Sequence, residues 1–136
     1  MAKSKSTDSD TATAPCPCGL GASYLACCGR YISGAETAPT AQALMQSRYT
    51  AYTLDDQRYI QQTWHPDKRP QEYLERRPAC QWLGLSVLSH HPAGLTATVE
   101  FIARYKINGR AERIHEISRF VCEDGQWLYV DGQFPD

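Results

Sequence analysis

The sequence predicts an α+β protein in which helices lie on one face of a curved antiparallel sheet, and three observations predict it. Apolar side chains recur at helical spacing from Thr40 to the prolines near Pro78. Beyond Cys80 the period changes to alternation, and the alternating stretches are divided by turn sequences such as Asn108-Gly109 and Asp124-Gly125. Helices first and strands afterwards belong to the α+β class. With 136 residues, and a domain averaging roughly 150, the chain has room for one core and a small appendage.

The helices come first. Thr40 suits an N-cap, and Ala41, Leu44, Met45, Arg48, Tyr49 and Tyr52 then keep a three-to-four spacing that predicts about three turns, with Arg48 contributing its stem. Asp55 or Asp56 caps a second helix carrying Tyr59, Ile60, Thr63 and Trp64. His65-Pro66 ends it, because a residue before proline is pushed out of the helical region. Pro70 suits the first turn of a short third helix that stops at Pro78.

Four strands follow: WLGLSVL, LTATVEFIARYKI, ERIHEISRFVC and QWLYVDG, separated by Pro92-Ala93-Gly94, Asn108-Gly109 and Asp124-Gly125. Two-residue turns fix the registers. Around Asn108-Gly109, Ile107 opposes Arg110, Tyr105 opposes Glu112, Ala103 opposes Ile114 and Phe101 opposes Glu116. Around Asp124-Gly125, Cys122 opposes Trp127, Phe120 opposes Tyr129 and Ser118 opposes Asp131. One face therefore gathers an aromatic surface with Glu116, Ser118 and Asp131 toward one end. The other face, with Glu100, Arg104, Lys106, His115 and Arg119, reads as a charged exterior or an oligomer interface.

Carboxylates on an apolar face need partners, so Glu116 and Asp131 either bond to Arg48, a tyrosine hydroxyl or loop backbone, or line a working pocket. Glu116, Ser118 and Asp131 are the pocket candidates, with Tyr49, Tyr52, Trp64 and His65 at its mouth. His65 also reads as a helix-end cap, His90 and His91 as solvated loop residues, the tryptophans as core, and Cys80 and Cys122 as buried structural thiols.

The charge sum is 14 basic minus 15 acidic residues, giving −1, which disfavours broad nucleic-acid binding. MAKSKSTDSDTATAP contains no aliphatic run, so neither a signal peptide nor a membrane anchor is read there, and a cytoplasmic protein with a disordered tail over residues 1–14 is expected. No Gly-rich phosphate loop, Ser-His-Asp elbow or HExxH helix supports hydrolase chemistry. Whether the chain is an enzyme stays open.

Four of the six cysteines fall between Cys16 and Cys28, in CPCGLGASYLACCG. Four thiolates suit tetrahedral zinc, and the glycines let the chain close around a small ion. Buried or free thiols, or a dithiol redox switch, compete with that reading.

The segment resembles the SEC-C motif, the zinc-binding module at the C-terminus of the SecA translocation ATPase, whose usual form is CPCGSGxxYxxCC(or CH)G. Cys16, Pro17, Cys18, Gly19, Gly21, Tyr24, Cys27, Cys28 and Gly29 match, and Leu20 departs from the usual serine. With ALMQSRYTAY, TWHPDKRP, VEFIARY, HEISRF and WLYVDG, the chain is similar to the YchJ-like family of small bacterial proteins. That resemblance implies structural zinc on Cys16, Cys18, Cys27 and Cys28 in a module over residues 15–34. It also implies a cone-shaped nuclear transport factor 2-like (cystatin-like) domain over residues 38–136. Two functions follow as expectations. One is an adaptor whose zinc module docks a protein partner of protein biogenesis. The other is a cone-type enzyme or binding protein holding a small apolar ligand by Glu116 or Asp131.

Overall fold

The computed structural model describes residues 14–70 and 80–135. The expected helix from Pro70 to Pro78 lies, beyond Pro70 itself, outside the described residues, as does the tail before Ala14. Within them the order is α1 (Cys28–Ile32), α2 (Ala41–Thr53), α3 (Gln57–Gln62), β1 (Cys80–Ala93), β2 (Thr96–Ile107), β3 (Arg110–Glu123) and β4 (Gln126–Gln133).

Side chains start both longer helices. Thr40 Oγ1 accepts the Ala43 amide at 3.0 Å, and Asp56 Oδ1 accepts that of Tyr59 at 3.1 Å. Asp55 makes the left-handed turn between the helices, at φ 58°, which leaves Asp56 at the cap.

The strands form one antiparallel meander in the order β1-β2-β3-β4. Asn108 and Gly109, at φ 52° and 79°, and Asp124 and Gly125, at 54° and 80°, put positive φ at both central residues of their two-residue turns. All four partners expected across β2 and β3 occur.

The first hairpin differs from expectation. β1 runs on through His90, His91, Pro92 and Ala93, and Gly94-Leu95 make the turn, so the two histidines are strand residues. Proline is tolerated because β1 is an edge strand that needs no full ladder. Two irregularities, between Trp82 and Gly84 and between Val87 and Ser89, leave Leu83 and Leu88 exposed. At the opposite edge, the chain leaving α3 adds to β4. Tyr129 N–H donates to Thr63 O at 2.9 Å and His65 N–H to Tyr129 O at 2.8 Å.

β4 carries the second difference. Cys122 and Trp127, then Phe120 and Tyr129, pair as expected, but the register shifts next and Arg119, not Ser118, faces Asp131. Val130 is the extra residue of a bulge, so Ser118 lies opposite Gly132.

Two buried groups make the core. One joins the four clustered cysteines to Ile32, Ala51, Tyr59 and Ile60; the other joins Ala41, Leu44 and Met45 to Val99 and Phe120 of the sheet. α2 belongs to both. Burying a side chain the size of Phe120 is worth about 1.5–3 kcal/mol, and Phe120 is 1% exposed. Cys80 and Cys122 are half-buried rather than buried.

Candidate functional site

Cys16, Cys18, Cys27 and Cys28 are all buried, and their sulfur atoms lie within 4.8 Å of one another. The Cys18 and Cys27 sulfurs are 3.5 Å apart, and Cys16 Sγ is 3.6 Å from Thr50 Oγ1 on α2. Zn–S bonds of about 2.3 Å in a tetrahedron put sulfurs just under 4 Å apart, so the set fits such an ion. Gly29 lets the chain pass tightly over Tyr24: its amide donates to Tyr24 O at 2.8 Å, and a Cβ there would sit 2.8 Å from that oxygen.

Electrostatics favour a cation among these sulfurs. The Cys18 and Cys28 thiols and backbone amides donate toward Cys16 and pull its pKa far down against the cost of burial. Bonding to Cys16 pushes Cys18 up to about 12, and bonding to Cys16 and Cys18 with burial pushes Cys28 up further. A bound metal would displace the protons that these thiols share. Four protein ligands fill a tetrahedral shell, so a metal held here is structural.

A separate cavity of about 530 Å³ opens between α2 and the concave face of the sheet. Tyr49, Tyr52 and Trp82 form one aromatic wall. Trp82 contacts Tyr49 edge-on at 5.6 Å between ring centres and lies 5.6 Å from Tyr105. Trp64, Tyr129 and Phe120 form the other, with edge contacts at 5.2 and 5.7 Å. Phe134, 64% exposed, stands at the rim.

Polar groups converge at the second wall. Glu116 Oε2 accepts the Tyr129 hydroxyl at 2.7 Å and that of Ser118 at 2.8 Å. The β4 bulge makes this possible, because a Cβ on Gly132 would overlap the Glu116 carboxylate. Arg48 is 5% exposed and donates through Nη1 to Ile60 O at 2.8 Å and Thr63 Oγ1 at 2.7 Å. Its guanidinium lies 4.6 Å from the centre of the Tyr129 ring and 5.1 Å from that of Trp64. Burial lowers its pKa, with Tyr52, Tyr129 and Glu116 acting the other way. Burial, then the neighbouring Glu116, raises that of the Tyr129 phenol.

Residues 40–132 match the family described as YchJ, middle NTF2-like domain. The chain is 54% identical over 117 residues to a UPF0225 protein of Cupriavidus metallidurans, covering 81% of this chain and 82% of that one. The chain belongs to the YchJ-like family. A UPF0225 protein of Bordetella pertussis is 50% identical over 113 residues, covering 81% of this chain and 85% of that one. A solution structure of a SEC-C motif containing protein from Rhodopseudomonas palustris superposes with a TM-score of 0.80 at 35% identity, covering 89% of this chain and 98% of that one. A crystal structure of a SEC-C motif containing protein from Psychrobacter arcticus gives 0.76 at 28% identity, covering 89% and 82%. The YchJ-like chain thus has an α+β, nuclear transport factor 2-like fold with a cysteine cluster near its N-terminus.

In this YchJ-like chain the structure brings Glu116, Ser118, Tyr49, Tyr52 and Trp64 to one cavity and leaves two expected residues out. Asp131 is on the opposite face, where both carboxylate oxygens accept from Arg119 at 2.7 and 2.8 Å, because the bulge turned it over. His65 is held outside: Nε2 is 3.0 Å from Glu123 Oε2 and Nδ1 accepts the Asp67 amide at 3.1 Å. Trp82 and Phe134 were not among the expected pocket residues, and Arg48 was expected only as a bonding partner for the carboxylates. The available signal was Arg48 itself, a cation in the inward stripe of α2. Among the described residues no helix is long and apolar enough to cross a membrane.

Proposed function

We propose that this protein binds a small, largely apolar molecule in the cone cavity and that a zinc ion on Cys16, Cys18, Cys27 and Cys28 braces the helix forming one side of it. The carrying observation is the cavity of about 530 Å³, within the usual size of small-molecule sites, with aromatic walls and convergent polar groups. Native mass spectrometry with elemental analysis of the purified, reduced protein tests both parts, with one zinc per chain and a co-purified small molecule expected. Ala103, 3% exposed in the cavity wall, supplies the control: Ala103→Phe fills the space and removes the bound molecule while the zinc stays. A protein without zinc, or one whose ligand survives Ala103→Phe, contradicts the corresponding half.

A second reading has its own observation. Leu20 and Leu25 on the cysteine module are 60% and 62% exposed, side chains that a docking partner of protein biogenesis would cover. Pull-down from cytoplasmic lysate with the parent and a Leu20→Ser, Leu25→Ser variant separates the readings. Equal recovery of every protein removes the adaptor role.

A further inference from the structure

We propose that the cavity selects an uncharged, mostly apolar ligand bearing a hydrogen-bond donor beside an acceptor, as in an aryl carboxamide, with the donor on Glu116 and the acceptor on Arg48. This rests on the cavity being a binding site.

Arg48 and Glu116 are the buried charged side chains among the described residues. Neither forms an ion pair there. Arg48 commits Nη1 to Ile60 and Thr63, while Nε and Nη2 make no hydrogen bond among the described residues. Glu116 commits Oε2 to two hydroxyls, and no described residue donates to Oε1. Both side chains line the cavity, and both border Tyr129, the guanidinium over its ring and the carboxylate at its hydroxyl. The wall therefore offers spare donors and one spare acceptor around a single ring.

Charge decides among ligand classes. The two buried groups sum to zero, and Arg113, the further cation in the lining, is exposed and screened by water, so a neutral ligand keeps the balance at the buried wall. A carboxylate ligand would bring a second anion beside Glu116, and an ammonium a second cation beside Arg48. A plain hydrocarbon would strip water from both and return no hydrogen bond. A carboxamide matches each: its N–H reaches the carboxylate, its carbonyl accepts from the guanidinium, and its aryl body lies against Tyr49, Tyr52 and Trp82.

The test is calorimetric titration of the metal-loaded full chain with naphthamide, with acetonaphthone, which keeps only the acceptor, and with naphthoate, which is an anion. Naphthamide is expected to bind about tenfold or more tightly than either, the worth of one hydrogen bond to a charged group. Glu116→Gln leaves the buried wall with a net positive charge, so the naphthamide-to-naphthoate preference should fall by about tenfold or more. Equal binding of naphthamide and acetonaphthone, or a naphthamide-to-naphthoate preference unchanged by Glu116→Gln, overturns the proposal. Equal binding of all three that Ala103→Phe abolishes leaves the binding-site reading standing while this one falls. No binding of any probe removes both. The comparison of probes on the parent protein stands even if the variant fails to fold.

Discussion

Replacing Gly132 by alanine isolates the device that seats Glu116. The added Cβ would occupy the position of the carboxylate, so Glu116 must swing away and lose the Ser118 and Tyr129 hydroxyls at 2.8 and 2.7 Å. A hydrogen bond to a charged group is worth about 1.5–3 kcal/mol, giving about 3–6 kcal/mol for the two. Alanine returns about 0.4–1 kcal/mol by restricting the unfolded chain, since Gly132 is not in the left-handed region. The expected net loss is about 2–5 kcal/mol, a drop in Tm of roughly 10 °C or more for a chain of this length. Urea denaturation of metal-loaded protein measures it in the parent and in Glu116→Ala, where no carboxylate remains to displace. There Gly132→Ala should cost almost nothing, so the cycle should return a coupling of about 2 kcal/mol or more. A loss below about 0.5 kcal/mol in the parent, or the same loss in both backgrounds, would refute the steric reasoning.

Three further outcomes are expected. Chelation, or Cys28→Ser, should unfold or strongly destabilise the chain, by several kcal/mol on the scale of structural metal sites, whereas Leu20→Ser should leave the denaturation midpoint in place. Tyr129 has its pKa raised by burial and then by Glu116, so the stability it contributes is fully present below the unfolded value of about 10 and is lost as pH rises from there toward the folded value; Tyr129→Phe should remove part of that alkaline slope in denaturation midpoints. Asp131→Asn should leave ligand affinity unchanged, because the carboxylate faces Arg119 outside the cavity, and a large loss of affinity would contradict its placement.

What the chain alone disclosed follows from how local each signal is. Asn108-Gly109 and Asp124-Gly125 dictate their turns through backbone conformation, so partners as far along as Phe101 and Glu116 could be read by counting outward. Counting fails at the first extra residue, and nothing in Tyr129-Val130-Asp131 marks a bulge that depends on how β4 bends against α2 and the α3 exit. Asp131 was lost to the cavity for that reason, and Gly132 was overlooked, although a glycine in a strand signals close approach. Arg48 was legible in position but not in role. Its stem fits the helix pattern, while the bonds and rings that let its charge be buried come from Ile60, Thr63, Trp64 and Tyr129, which converge only in the fold. The cysteine cluster was the most legible feature, since its ligands are close in sequence and need little of the rest of the chain to meet.

The position of α2 sets where this protein can be cut. The family match begins at residue 40, one residue ahead of that helix, and a fragment starting there would look like a complete cone. Thr50 and Ala51, both 0% exposed, would then face water, as would parts of Tyr59 and Ile60 now covered from the cysteine side. The same helix presents Arg48, Tyr49 and Tyr52 inward, so the excised piece would keep every residue of the pocket and lose the backing that holds them in line. The N-terminal segment is a keystone of the cone, and fragments for ligand discovery or partner capture should begin before Cys16.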